Sequence, residues 1–232
     1  MTRRPLMNAL AVIGILAAAI DLVTAQGQIA APRRAAPSLV PPASSQKAPD
    51  ADGFLRRWVI LEPIRVTGPL TDSAVQTAVK AEYFADQFTV VPRDGDSRTV
   101  GDTDVTWHAV DTLAYNVNLY HFAYALNKPT SNVLFWVVTV VDAPREMTGV
   151  RLAIGSNAAS VWWVNGQEVI AIYNDRQTVI DDGVSKRLTL RKGLNVIRGA
   201  IINAGGATDF CARFLDGDDR PVKDLAVRLA AR

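Results

Sequence analysis

Apolar and polar residues trade places at short range along most of this chain, and that alternation predicts strands. Val105 to Val110 alternates as a strand with one buried face does. Val117 to Leu126 reads the same way, with Leu119, His121, Ala123 and Ala125 opposing Tyr120, Phe122, Tyr124 and Leu126. Val133 to Val141 is β-forming and apolar on both faces, which predicts a central strand covered on both sides. Phe54 to Leu61 predicts an opening strand that ends at Glu62-Pro63. Arg151 to Ile172 is the densest stretch: an apolar strand, a small loop at Gly155, Ser156 and Asn157, then two strands joined by Asn165-Gly166. Asn-Gly between apolar runs predicts a two-residue hairpin, because that turn needs positive φ at both central positions. Val184 to Leu190, Leu194 to Ile202 and Phe210 to Leu215 predict the closing strands, separated by turns at Arg191-Lys192-Gly193 and Gly205-Gly206.

One helix is expected, over Thr71 to Phe84. Thr71, Asp72 or Ser73 could cap it, and Val75, Val79 and Tyr83 recur at i, i+4 and i+8. Short strands spaced by turns, without a βαβ rhythm, predict an all-β fold: an antiparallel β-sandwich with one short helix.

Composition divides the chain into three parts. Arg3 and Arg4 precede an apolar run from Leu10 to Ile20, and Val23-Thr24-Ala25 supplies a small-residue exit, so residues 1–25 read as a secretory signal peptide. The run is about half the ~20 residues that a membrane-crossing helix needs, so the processed chain is not expected to span a membrane. Residues 26–52 carry Pro32, Pro37, Pro41, Pro42 and Pro49 among Ala, Ser and Gln, and predict a flexible linker. Residues 53–232 form the expected sandwich module. Localisation follows as secreted or periplasmic.

Loss of Arg3, Arg4 and Asp21 with the leader would lower the formal net charge from +2 to +1. No Lys/Arg run is dense enough to track phosphates, which argues against nucleic acid as a partner. Cys211 is the only cysteine, so no intrachain disulfide forms and a packed core must carry the stability. It reads as a small buried hydrophobe.

The ordered series of segments resembles the galactose-binding-domain-like jelly rolls of secreted bacterial proteins. Trp58-Val59-Ile60-Leu61 looks like their opening strand and Trp107-His108-Ala109-Val110 like their second landmark. Tyr120 to Ala125 and Leu152 to Ser156 fit the next two strands, and Trp163-Val164-Asn165-Gly166 resembles their Trp-apolar-Asn-Gly hairpin. Leu188 to Asn195 and Phe210 to Phe214 match the closing strands, so the resemblance spans roughly residues 54 to 225. It implies a module that binds glycan or packs against a catalytic domain such as a glycoside hydrolase or carbohydrate esterase. The chain departs from the family at Asn157-Ala158-Ala159, where members often carry an acidic pair and Gly.

The candidate ligand contacts are Trp163, Asn157, Tyr173 and Arg176. Adjacent strand residues point to opposite faces, so Trp162, in phase with Ser160 and Val164, faces the core while Trp163 faces away. An outward Trp can stack on the apolar face of a sugar; alternatively it lies beneath the linker, the helix or a loop in a second small core. Asp94/Asp96 and Asp102/Asp104 could offer oxygen ligands to a structural calcium, but they lack the full loop pattern and serve equally as turn formers. His108, His121 and Cys211 do not have zinc-site spacing. No other cofactor is expected. A hydrolase would need a nucleophile elbow, and the nearest match, Ile154-Gly155-Ser156-Asn157-Ala158, lacks the second Gly. The leading expectation is a non-catalytic exported module that binds carbohydrate or docks to another secreted or envelope protein. A carbohydrate esterase and a structural envelope-assembly protein are the alternatives.

Overall fold

The computed structural model describes residues 38–173 and 177–229. The expected signal peptide therefore lies outside the described residues, as does Arg176. In chain order the elements begin with β1 (Leu39–Val40), β2 (Gln46–Lys47), β3 (Arg57–Leu61), β4 (Ile64–Arg65), α1 (Asp72–Ala78) and β5 (Ser97–Val100). They continue with β6 (Thr103–Thr112), β7 (Val117–Asn118), α2 (Leu119–Ala125), β8 (Val133–Ala143), β9 (Met147–Asn157) and β10 (Ala159–Val164). The last six are β11 (Gln167–Ile172), β12 (Gly183–Val184), β13 (Leu188–Leu190), β14 (Gly193–Asn203), β15 (Asp209–Leu215) and β16 (Ala226–Arg228).

All strand pairs are antiparallel. The larger sheet runs β1-β6-β3-β8-β14-β10-β11, with β5 on β6, β4 and β16 on β8, and β2 on β16. The smaller runs β12-β9-β15-β7, with β13 also on β9. Between the sheets lies the main core, where Trp58, Trp162 and Phe210 meet edge-on or tilted at centroid distances of 4.9–6.0 Å. Their indole N–H groups are satisfied inside it: Trp58 Nε1 donates to the Leu55 carbonyl at 2.8 Å, and Trp162 Nε1 to the Ser160 hydroxyl at 3.0 Å. Gly199 on the neighbouring strand makes room for Trp162, since a Cβ there would lie 2.5 Å from the indole ring.

A second core covers the other face of the larger sheet. Trp136 and Trp163 stack at 5.5 Å and 22°, and Phe88 meets both edge-on. Val79, Phe84 and Phe88, which follow α1, form its lid. This is why β8 is apolar on both faces, as expected of a covered central strand.

The sandwich departs from expectation in three places. The linker expected over 26–52 gives way to the domain by residue 38: β1 pairs with β6, β2 pairs with β16, and Leu39 packs against the main core. Among the described residues there are two short helices where one was expected, because Val117 to Leu126 turns helical after Asn118. Asn118 caps α2 by accepting the His121 N–H at 2.7 Å, and Leu119, Phe122 and Ala123 are buried at i, i+3 and i+4. The first helix is shorter than the expected 71–84. Thr71 caps it and it ends at Ala78, after which the chain turns to lay Phe84 and Phe88 on the sheet. Among the described residues no helix is long and apolar enough to cross a membrane.

Candidate functional site at the edge strand β11

The hairpin that carries the site forms as expected. Asn165 and Gly166 adopt φ of 52° and 83°, the paired positive values of a two-residue turn. The Asn165 side chain accepts the Val196 N–H at 3.0 Å and donates to the Asn195 side-chain oxygen Oδ1 at 2.9 Å, which ties the turn to β14. A bulge then interrupts the pairing: Trp162 lies opposite Ile170 but Trp163 opposite Glu168, so Val169 is the extra residue. The bulge carries Glu168 to the face that Trp163 shares, on the side of α1. A regular β11 would aim Glu168 with Ile170 and Ile172 at the main core.

Lys80 meets Glu168 there, Nζ to Oε1 at 2.9 Å, although the two are 88 residues apart. Gln87 fixes the chain that presents Lys80: its side chain accepts the Tyr83 N–H and donates to the Ala81 carbonyl, both at 2.8 Å. The Glu168 carboxylate, followed by a bond to the Tyr173 side chain, raises the Lys80 ammonium above its ordinary pKa. Tyr173 is half-buried, packs against the second core, and walls a shallow recess of about 530 Å³ with Ser73, Gln76, Thr77 and Lys80. On the other side of β11, a groove of about 560 Å³ opens towards β13. Val164, Val169 and Leu188 line it together with Gln167, Glu168, Lys186, Arg187 and Thr189. The Lys80–Glu168 pair thus stands between an aromatic-walled recess and a polar groove.

Of the four residues expected to touch ligand, Tyr173 lies in this site. Trp163 lies behind it, 7% exposed and stacked on Trp136, so of its two expected placements the second core holds and the exposed platform is corrected: the outward face of β10 is roofed by the segment after α1. Asn157 ends β9 on the smaller sheet, opposite Asp209, and does not line the recess. Arg176 is not among the described residues. Lys80, Glu168, Gln76 and Thr77 carried no sequence signal, because the bulge and the packing of the segment after α1 bring them together.

The other candidate chemistry is dispersed. Ser156 is buried and donates its hydroxyl to the Ala158 carbonyl at 3.0 Å, so it is no exposed nucleophile. His108 Nε2 lies 3.4 Å from Glu62, His121 Nδ1 lies 3.3 Å from the Ser38 hydroxyl, and Cys211 is buried elsewhere in β15. Burial pushes the Cys211 thiol up to about 11. Asp94 and Asp96 accept the Ala109 and Arg93 N–H groups at 2.8 Å, and Asp104 accepts the Thr99 hydroxyl at 2.8 Å, so these carboxylates brace turns. Among the described residues no group of three or more His, Cys, Asp or Glu side chains converges to hold a metal.

A separate surface is apolar. Leu113, Tyr115, Tyr124, Val179 and Ile180 are exposed, Tyr124 at 71%. Their segments are linked: Leu113 N–H donates to the Ser38 carbonyl beside His121, while Asn116 and Thr178 both donate to the Asp209 carboxylate.

Fold and site together define an all-β antiparallel sandwich with a recessed edge strand. No protein-family model and no curated protein matches the chain. Similar solved structures include the PA14 domain of the antifreeze protein MpAFP, at 12% identity over 73% of this chain and 89% of that one, with a TM-score of 0.43. A PA14 sugar-binding domain from an RTX adhesin is similar at 10% identity over 74% and 96%, with a TM-score of 0.43. A β-glucosidase from Kluyveromyces marxianus in complex with glucose is similar at 19% identity over 54% of this chain, with a TM-score of 0.37. The chain spans only 16% of that enzyme's length.

Proposed function

We propose that residues 38–229 form a non-catalytic carbohydrate-binding module of an exported protein, built as a galactose-binding-like jelly roll, and that glycan rests against Tyr173. The observation that carries this reading is the recess itself. An aromatic side chain stands beside an ammonium–carboxylate pair, with Gln76 and Thr77 on the facing helix. Sugars need both partners: an apolar ring face for their C–H groups, and directional donors and acceptors for their hydroxyls. Ser156 supports the non-catalytic half of the reading, because its hydroxyl is committed to a backbone carbonyl. Export rests on the basic start and short apolar run of residues 1–25.

Affinity electrophoresis of the whole chain through gels containing neutral polysaccharides tests this. Wild-type protein should be retarded by at least one of them. Tyr173→Ala should weaken that retardation about tenfold, the equivalent of ~1.4 kcal/mol, whereas Tyr173→Phe, which keeps the ring, should retain most of it. Retardation that is indifferent to Tyr173→Ala would remove the recess from the account.

The apolar surface of Leu113, Tyr115, Tyr124, Val179 and Ile180 favours a second reading, docking onto another secreted or envelope protein. Exposed hydrophobics gathered on linked segments mark interaction sites.

A further inference from the structure

The groove between β11 and β13 carries a charge that recognition of neutral sugars would not use. Lys186 and Arg187 stand on its β13 side, both exposed. Among the described residues the Lys186 ammonium has no hydrogen bond or ion pair. Arg187 donates to the Gly149 carbonyl at 2.8 Å and reaches Asp219 only at 3.8 Å, with half of its side chain exposed. The turn after β13 is held near the hairpin tip by the Arg191 backbone. Asn195 accepts the Arg191 N–H at 3.0 Å and also accepts from Asn165, the residue at the hairpin tip. Among the described residues the only acidic side chain lining the groove is Glu168, and Lys80 already neutralises it from the opposite side. Two cations, Lys186 and Arg187, therefore line a polar channel whose one carboxylate is already paired.

We infer that this groove binds an anionic glycan, a chain of sugar units bearing carboxylate or sulfate groups. The inference rests on the carbohydrate-binding reading and gives that reading a substrate class. Lys186 and Arg187 take the acid group, with Arg187 able to offer parallel N–H donors to its two oxygens. Gln167 and Thr189 take ring hydroxyls, and Val169 and Leu188 supply the apolar floor. A positively bordered channel also concentrates an anionic polymer before contact, an effect that salt screens.

Lys186→Glu is the decisive variant, since an exposed and unbonded side chain can be reversed in charge without disturbing the fold. Mobility of the whole chain would be measured in gels of polygalacturonate, dextran sulfate and neutral dextran, each relative to a polymer-free gel, and with a DNA duplex as competitor. The expected result is retardation in an acidic gel at least tenfold stronger than in dextran, falling as salt rises. Lys186→Glu should reduce it at least tenfold at an unchanged melting temperature. The polygalacturonate and dextran sulfate arms decide between carboxylate and sulfate as the group read. An acidic response that Lys186→Glu leaves intact, or no acidic preference at all, would overturn the inference; a Tyr173-dependent response to neutral glycan would then still stand by itself. An acidic response that needs Lys186 but not Tyr173 would sustain the groove and remove the recess. Displacement by DNA as efficient as by polyuronate would overturn the glycan assignment, because the groove would then read charge alone.

Discussion

Trp162 and Trp163 are neighbours in sequence and sit in different cores. Trp162 packs between the sheets against Trp58 and Phe210, and Trp163 stacks on Trp136 beneath Phe88. Deleting a large buried aromatic costs about 3–5 kcal/mol, so Trp162→Ala and Trp163→Ala should both lower the melting temperature sharply in thermal unfolding. Against a total of ~5–15 kcal/mol, either change is large. A wild-type melting curve for Trp163→Ala would show that the second core is not packed as described. The strand alternation correctly assigned the two faces, with Trp162 inward. What it left open was which segment roofs Trp163, because Phe84 and Phe88 lie some 75 residues away in sequence.

Among the elements, the strands were the legible part. β8, β10, β14 and β15 follow from runs of β-forming residues, and the β10–β11 turn follows from Asn165-Gly166. α2 was not legible as a helix. Its seven residues alternate well enough to pass for a strand, and only the Asn118 cap with the spacing of Leu119, Phe122 and Ala123 favours the helical period. β1 and β2 were hidden by their prolines and their shortness, since two-residue strands leave no periodicity to detect. The site was partly legible: Tyr173 was marked, but Glu168 depends on the bulge at Val169, a one-residue shift that reverses a side chain's face.

For the whole molecule, an ion-pair clamp ties the beginning of the domain to the larger sheet. Arg57 on β3 is buried and donates to both Asp111 oxygens on β6, at 2.8 and 3.0 Å, and Lys47 on β2 adds a third contact at 3.2 Å. Burial opposes the Asp111 charge, but Arg57 and then Lys47 outweigh it and hold the carboxyl below its ordinary 3.8. At Glu62 burial is likewise opposed and outweighed, by Lys128, His108 and the Thr106 N–H, and the group falls below its ordinary 4.5. Folded pKa values below the unfolded ones mean that these carboxylates contribute stability above about pH 4.5, and that it is lost as pH falls through their folded values. The melting temperature should therefore decline below about pH 4.5, and Asp111→Asn, which leaves Arg57 buried without its partner, should cost about 3–5 kcal/mol already at neutral pH. A neutral-pH stability unchanged by Asp111→Asn would contradict the clamp. The function proposed for this domain turns on glycan being received along the edge strand β11. Its most direct test is amide NMR of the labelled protein titrated with oligosaccharides from whichever polysaccharide retards it. Saturable shifts are expected, concentrated at residues 76–80, 167–173 and 186–189. Shifts confined to 113–124 and 178–180 would contradict it and move the interaction to the apolar surface.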